Sequence, residues 1–126
     1  MALAHWGFVY TAPGVSPEGH WATVDTDGCR TRLVAVQSAE QAPAVARRLA
    51  DEGAQLIELC GAFGPVWTAR VIEALDGRVP VGAVGYGPET VDQLHAIFSR
   101  PGTAGPLPSV ATKGCDVRSP VIRPPS

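Results

Sequence analysis

The feature that most constrains the fold is an alternation of short apolar runs with helical patterns along residues 31–98. The apolar runs lie at 31–37, 55–60 and 80–86, and each is followed by residues with the apolar spacing of an amphipathic helix. Strands that alternate with single helices at this spacing lie parallel and are joined by right-handed crossovers. The sequence therefore predicts an α/β fold built on a parallel sheet.

Two further strands precede this region. Residues 5–11 alternate aromatic with smaller side chains, and residues 20–26 lead through Asp27 and Gly28 into the run at 31–37. An Asp-Gly pair between two such runs favours a hairpin, so the strands at 20–26 and 31–37 should be antiparallel neighbours. The first strand is apolar on both faces, which places it centrally. The complete prediction is a single small, mixed, mainly parallel five-stranded sheet flanked by three helices.

Local signals indicate where the helices begin and end. Residues 38–41 read SAEQ, the pattern of a capping box, and Gly53 ends the first helix. Residues 64–65 and 87–88 each read Gly-Pro, which puts a glycine at a cap and a proline at the first helical position. The inner face predicted for the third helix consists of Val91, Leu94, His95 and Phe98.

The composition changes after residue 100. Residues 101–126 hold half of the chain's twelve prolines and show no helical or strand period, so they are predicted to be an irregular Pro/Gly-rich C-terminal tail. Residues 1–100 then form one α/β domain, which a chain of 126 residues can build around a single core. So small a sheet leaves edges and apolar helix faces to cover, which predicts a homo-oligomer.

Charge and composition argue against two classes of partner. The net charge is −2 and the arginines are scattered among acids, so no nucleic-acid binding is expected. No apolar run approaches the ~20 residues of a membrane helix, and no basic segment precedes an apolar core at the amino terminus, so no membrane partner is expected. The three cysteines are odd in number and far apart, which favours a reducing, cytoplasmic location. The bias towards Ala, Gly, Pro, Arg and Val is typical of a high-GC bacterial coding sequence.

The candidate site lies where the fourth strand ends. Residues 56–65, LIELCGAFGP, pass from a buried strand through a glycine loop into a helix. Open α/β sheets bind ligands at the carboxyl ends of their strands, and a first helical turn offers free NH groups to an anion. On a period of two, Glu58 and Cys60 share one face. These residues predict a pocket for a small, anionic organic substrate.

Three side chains are candidates for catalysis: Glu58, Cys60 and His20. A carboxylate buried among leucine and isoleucine must be paired, protonated or used, unless it sits at a strand edge open to water. Cys60 precedes a helix start, which favours a thiolate, although free cysteines commonly pack as small hydrophobes. His20 begins a strand after a turn-rich loop and can carry a proton or bind a metal, although a lone histidine is more often a surface or core residue.

Further residues are expected to bind the substrate. Tyr10 and Tyr86 lie near carboxyl ends of strands, where a phenol can donate to a developing oxyanion, and Trp21 can line an apolar pocket. Each of these also fits an ordinary place in the core or at its rim. The predicted substrate-binding set is Gly61, Phe63, Gly64, Tyr10, Tyr86, Trp21 and His5. The glycine spacing matches neither a Walker loop nor a dinucleotide fingerprint, so no cofactor is predicted.

The string ELCGAFG at residues 58–64 resembles a small bacterial family that is classed as a domain of unknown function and marked by an ELCG-x-FG strand-to-helix motif. Other similar segments lie at 12–13, 17–20, 51–53 and 79–82, so the resemblance covers roughly residues 1–90 and leaves the tail outside. It implies a fold and draws attention to His20, Glu58, Cys60 and Gly61, but it implies no activity. Trp21 follows His20 where a charged residue is expected in relatives, which favours a more apolar pocket.

Three hypotheses follow for the function. The leading one is a small-molecule enzyme doing cofactor-independent acid-base chemistry, as an isomerase, cyclase or lyase. In it, Glu58 or His20 is the general base or acid, Cys60 is its partner or a nucleophile, and the NH groups of residues 61–66 hold an oxyanion. The second is an enzyme that uses His20, Glu58 and Cys60, with His5, to bind zinc or another transition metal. The third is a non-catalytic small-ligand-binding or assembly protein.

Overall fold

The computed structural model describes residues 2–16 and 18–99. Its strands are β1 (His5–Thr11), β2 (His20–Asp25), β3 (Arg30–Val36), β4 (Ile57–Leu59) and β5 (Val81–Ala83). Its helices are α1 (Ala42–Asp51), α2 (Gly64–Leu75) and α3 (Val91–Phe98), and short 3-10 turns at Ala39–Gln41 and Pro88–Thr90 precede α1 and α3. The predicted α/β class, with five strands and three helices, is confirmed. The predicted tail, 101–126, lies outside the described residues.

The five strands form one mixed sheet in the order β2-β3-β1-β4-β5. β1 is central, as predicted, and pairs in parallel with β3 on one side and β4 on the other, while β4 pairs in parallel with β5. β2 is antiparallel to β3, which confirms the predicted hairpin. At its turn, the backbone NH of Thr26 donates to the carbonyl of Cys29 at 2.9 Å. Along the middle of the sheet, Phe8 lies opposite both Leu33 and Glu58.

The hydrophobic core lies on one face of the sheet, called here the helix face because α1 and α2 both pack on it. Its buried cluster is Val9, Val34, Val36, Ala42, Ala46, Leu49, Ala54, Ile57, Leu59, Phe63, Val71 and Leu75. The connections β3-α1-β4 and β4-α2-β5 both advance in the same direction across the sheet. Because such crossovers are right-handed, both helices are brought to the same face.

The other face, called here the aromatic face, carries the alternate side chains of the same strands. They are Trp6, Phe8 and Tyr10 on β1, Thr31, Leu33 and Ala35 on β3, His20, Ala22 and Val24 on β2, Glu58 on β4 and Gly82 on β5. None of them belongs to the core cluster. β1 and β3 are connected through β2, a strand, so this connection supplies no helix to cover the aromatic face.

Two expectations for the last strand and the last helix are wrong. The strand expected at 80–86 is shorter, and Gly82 and Ala83 within it are exposed, because β5 is an edge strand with one neighbour. The apolar side of α3 is not buried either, since Val91 is 58% and Phe98 77% exposed. Among the described residues, those up to Val84 form one compact unit, and α3 belongs to a second unit that begins at Gly85.

The predicted helix signals are confirmed for α1 and α2. The capping box around Ser38 is present, and the side-chain Oε1 of Gln41 accepts from the backbone NH of Gln37 at 2.7 Å. Gly53 follows α1 with a φ of 99°, a left-handed conformation that glycine adopts without strain. α2 begins at Gly64, one residue earlier than predicted, with Phe63 as its N-cap and Pro65 as its second residue. These local signals therefore place both crossover helices to within one or two residues.

Gly7 of β1 allows α1 to approach the sheet, which gives a first prediction. A Cβ at Gly7 would lie 2.7 Å from Cδ1 of Leu49, whose side chain is fully buried. We expect Gly7→Ala to lower the free energy of unfolding by about 1–3 kcal/mol through overpacking, as measured by urea denaturation.

The matched control is Gly82→Ala, another glycine within a strand. A Cβ there would meet its nearest neighbour, Cγ of Glu58, at 3.8 Å, an ordinary contact. We expect that variant to stay within about 0.5 kcal/mol of the original protein. Equal stabilities for the two variants would contradict the close packing of α1 on β1.

Candidate functional site

Several segments of the chain meet at the edge of the sheet where β1, β3 and β4 end. Because β2 runs antiparallel to β3, its first residue, His20, lies at this same edge. Cys60 follows the last residue of β4, and its backbone NH donates to the carbonyl of Val9 at 2.9 Å. The location predicted for a site therefore holds two of the three candidate catalytic residues.

A cavity of about 240 Å³ lies at this edge, between the hairpin and the first turns of α1. It is lined by Glu18, Gly19, Trp21, Val36, Gln41, Ala44, Val45 and Arg48. Its wall is mainly apolar, and two of its residues, Glu18 and Arg48, are charged. Of the predicted substrate-binding residues, Trp21 is the one that lines it. The cavity lies on the helix face, because Trp21 pairs with Val34 of the core.

Trp21 is held in place by polar and cationic contacts. Its indole Nε1 donates to the carbonyl of Glu18 at 3.1 Å. The guanidinium carbon of Arg48 lies 4.1 Å from the centroid of the indole ring, and that of Arg32 lies 5.1 Å from it. A cation near the face of an indole is attracted to the negative face of the ring. The ring is therefore a fixed wall of the cavity.

Two guanidinium groups beside the cavity share one carboxylate. Glu52 binds Nε of Arg48 at 3.0 Å through Oε1 and a terminal nitrogen of Arg32 at 3.2 Å through Oε2. This cluster of three side chains keeps one positive charge in excess. Arg48 is the more accessible of the two cations, with 57% of its side chain exposed, so it can turn towards an anion in the cavity. Glu18 also lines the cavity and carries a negative charge.

Gly19 determines the shape of the cavity wall before β2. Its φ is +82°, and a Cβ there would lie 3.0 Å from the carbonyl oxygen of Ala35. Its NH donates to the carbonyl of Ser16 at 2.9 Å, and the hydroxyl of Ser16 donates to the carbonyl of Gly19 at 3.1 Å. A larger residue would be strained in this turn and crowded by β3. Glycine at this position therefore allows Trp21 to reach the cavity.

The expectation that Glu58 is buried is wrong. Its side chain is exposed on the aromatic face, next to Phe8 and Gly82, which is the water-exposed alternative raised from the sequence. Cys60 does not share its surroundings. The thiol side chain is half-buried and packs against the core, because β4 ends at Leu59 and the alternation of side chains stops there.

Glu58 and His20 also lie far apart. β3 and β1 separate their strands, so three strand spacings, about 14 Å, lie between their backbones. No group of three His, Cys, Asp or Glu side chains in the described residues is close enough to hold a metal ion. The ligand set of His20, Glu58 and Cys60 is therefore not brought together. The catalytic roles of these residues stay predictions.

The remaining candidate residues are scattered. His5 begins β1 at the opposite edge of the sheet, about 20 Å of strand from Thr11, so the expectation that it approaches the same pocket is wrong. The side chain of Phe63 is buried in the core. Tyr10 stacks on Phe8 on the aromatic face, with ring centroids 6.1 Å apart. Tyr86 is exposed in the second unit. Gly61 and Gly64 border the turn into α2, as predicted.

Several cavity residues were not predicted: Glu18, Gly19, Val36, Gln41, Ala44, Val45 and Arg48. A signal for some of them exists in the sequence. Gln41, Val45 and Arg48 recur at helical spacing, so they project from one side of the first helix near the carboxyl end of β3. Their position beside Trp21 depends on the strand order, which the sequence does not specify.

A second cavity, of about 400 Å³, lies at the opposite edge and is lined by Ala4, His5, Asp25, Thr26, Cys29 and Arg30. Its two charged side chains neutralise each other. Arg30 donates to both carboxylate oxygens of Asp25, at 2.8 and 2.9 Å. These hydrogen bonds hold the pKa of Asp25 below its ordinary value. This cavity therefore offers a ligand no unpaired carboxylate or guanidinium.

The Asp25–Arg30 pair gives a second prediction. We expect Arg30→Ala to raise the pKa of Asp25 towards its ordinary value of 3.8, because the guanidinium hydrogen bonds are lost, and a carboxyl-detected NMR titration would measure this. The paired carboxylate stabilises the fold above pH 3.8, and this contribution is lost as the pH falls through its lower folded pKa. The original protein should therefore lose more stability than the variant over that acid range.

Arg78→Ala is the control for this titration, because Arg78 pairs with Asp51 and not with Asp25. The pKa of Asp25 should be the same in this variant as in the original protein. A pKa of Asp25 that Arg30→Ala leaves unchanged would contradict the assigned cause.

No helix in the described ranges combines the length and apolar character that crossing a bilayer requires. A sequence model described as a family of unknown function (DUF6506) matches residues 4–99, a range that contains all of the strands and helices described above. No match was found among curated proteins or among solved structures.

Proposed function

The chain belongs to DUF6506, a family of unknown function, and we propose that it binds a small organic anion in the cavity beside Trp21. The observation that carries this proposal is an apolar cavity at the carboxyl edge of the sheet with an accessible guanidinium at its margin. Open α/β sheets bind ligands at this edge. The proposal is the small-ligand-binding function among the three hypotheses raised from the sequence.

The size and lining of the cavity support a small ligand with an apolar body. Its volume of about 240 Å³ is below the range of about 300–1,000 Å³ that is usual for drug-sized ligands. Trp21 and Val45 offer apolar surface, on which a short aliphatic chain or a single ring can pack. The indole ring is already fixed by its hydrogen bond and cation contacts, so little side-chain entropy is lost on binding.

The charges support an anionic group on that ligand. Arg48 shares Glu52 with Arg32, so it is incompletely neutralised and its guanidinium nitrogens are partly available. A planar carboxylate matches the geometry of a guanidinium and can accept two hydrogen bonds from it. The carboxylate would therefore bind at the margin beside Arg48, while the apolar part of the ligand fills the cavity against Trp21.

Binding is favoured over turnover because the residues predicted for catalysis do not surround this cavity. Trp21 and Glu58 lie on opposite faces of the sheet, and His20 alternates with Trp21 along β2, so it too belongs to the aromatic face. Acid-base catalysis of the isomerase, cyclase or lyase type stays a second proposal. The ligand-binding experiment described below distinguishes the two proposals, because an enzyme of this type converts its ligand.

A bacterial, cytoplasmic setting is proposed from the composition and from the free thiols of Cys29 and Cys60.

The third prediction tests the anion site with benzoate and hexanoate, each an apolar body with one carboxylate. We expect both to raise the melting temperature in a concentration-dependent way, relative to chloride at equal ionic strength. Arg48→Gln should weaken their binding about 10- to 100-fold, because a charge-assisted hydrogen bond contributes about 1.5–3 kcal/mol. Arg47→Gln is the control, since Arg47 is an exposed neighbour on α1 that does not line the cavity.

Two variants that each replace an alanine by leucine test where the ligand binds without changing the charge of the protein. Ala44→Leu should fill part of the cavity and abolish the shift in melting temperature, whereas Ala69→Leu, at an exposed position on α2, should preserve it. Equal shifts in these two variants would place the ligand elsewhere. The absence of any shift at millimolar probe would overturn the proposed ligand class. Conversion of a probe, followed by NMR, would favour the enzyme.

A further inference from the structure

The aromatic face of the sheet lacks a partner among the described residues up to Val84. Both helices of this unit pack on the helix face, and the core cluster includes no residue of the aromatic face. Trp6, Phe8, Tyr10 and Leu33 are half-buried, and Val24 is 51% exposed. Contiguous apolar surface with aromatic side chains at its centre is typical of a protein interface.

The shape of the aromatic face is complementary to that of a second copy of the same face. Along β1, three aromatic side chains form a ridge, which consists of Trp6, Phe8 and Tyr10. Across the ladder, β3 presents smaller side chains at the same levels, which are Thr31, Leu33 and Ala35. β2 continues this low strip with Val24, Ala22 and His20. A ridge beside a strip of the same length can pack against a second copy of itself, ridge on strip.

We propose that two copies of this chain pair through their aromatic faces, about a two-fold axis that runs parallel to the strands between β1 and β3. This rotation places the β1 ridge of each copy on the β3 strip of the other. Phe8 then meets Leu33, and Tyr10 meets Ala35, on both sides of the axis. An isologous contact of this kind closes at two copies. The twist of the sheets would rotate the two strand directions by about 30°.

The same rotation gives Glu58 a partner. It lays β4 of one copy over β2 of the other, so Glu58 faces Ala22 at the same level of the ladder. His20 lies two residues further along β2, a step of about 7 Å, within reach of a glutamate side chain. Glu58 has no ion-pair partner among the described residues. At the rim of the interface, the His20 imidazole can donate a hydrogen bond to this carboxylate.

The area of the aromatic face determines how stable the dimer is expected to be. The four overlapping strands, with six or seven residues in β1, β2 and β3 and three in β4, measure at most about 20 by 20 Å, so the contact buries about 800 Å² over the two copies. This is at the lower limit for a specific interface. The dimer should therefore be reversible, with its population changing over micromolar concentrations.

Sedimentation equilibrium of the full chain from about 1 to 100 μM tests the proposal. We expect the mass to rise with concentration from the 13.1 kDa of one chain towards twice that value. Ala22→Glu sets a carboxylate against Glu58 of the other copy and should raise the dissociation constant at least 10-fold. Ala22→Lys sets an ammonium there and should leave the dimer intact or tighter. A purely steric effect would weaken both variants alike.

Thr23→Glu is the matched control, because Thr23 is the next residue of β2 and projects to the helix face beside Arg32. It should change the dissociation constant less than about 3-fold. Equal weakening by Ala22→Glu and Thr23→Glu would move the interface elsewhere and overturn the proposal. A mass that stays at that of the monomer at every concentration would also overturn the proposal. The aromatic face would then be covered by another partner, such as a different part of the same chain. Both Ala22 variants should still bind benzoate, so this test is independent of the cavity.

Discussion

The structure depends on the handedness of its two crossovers. The connections through α1 and α2 run in the same direction across the sheet, so right-handed crossing brings both helices to one face. The link from β1 to β3 would supply a helix to the opposite face in a doubly wound sheet, but here it is the strand β2. The core is therefore one-sided, and the aromatic residues of β1 remain outside it. The interface proposed above is a consequence of this topology.

The same replacement of a helix by a strand creates the cavity. β2 is the outermost strand of the sheet beyond β3, and its inward-facing Trp21 lies beside the first turns of α1. Arg48 can then lie over the ring while it is still anchored to Glu52, one helical turn further along. A helix in the place of β2 would lie on the aromatic face and would leave no strand beyond β3 to carry Trp21 on the helix face. Cavity and aromatic face therefore arise from one topological feature.

Much of the fold could be predicted from the sequence because its signals are local. The Ser38 capping box, the Gly64-Pro65 start and the Asp27-Gly28 turn each act within a few residues, and each lies within one residue of its predicted place. The environment of Glu58 could not be predicted, because an exposed face follows from the direction of the crossovers. The cavity residue Arg48 was missed for a related reason. Its neighbour Trp21 is 27 positions away in the sequence, and they meet through the strand order.

β2 couples the two proposed sites through its side-chain alternation. Trp21 points to the cavity, while His20 and Ala22 on either side of it point to the aromatic face. A shift of one residue in the pairing with β3 would exchange these sets, placing the indole on the outer face and an imidazole in the cavity. Such a slip is opposed by the Arg32–Thr23 hydrogen bond, by the Asp25–Arg30 ion pair and by the turn at Gly19. These polar contacts at both ends of β2 fix the register on which cavity and interface both depend.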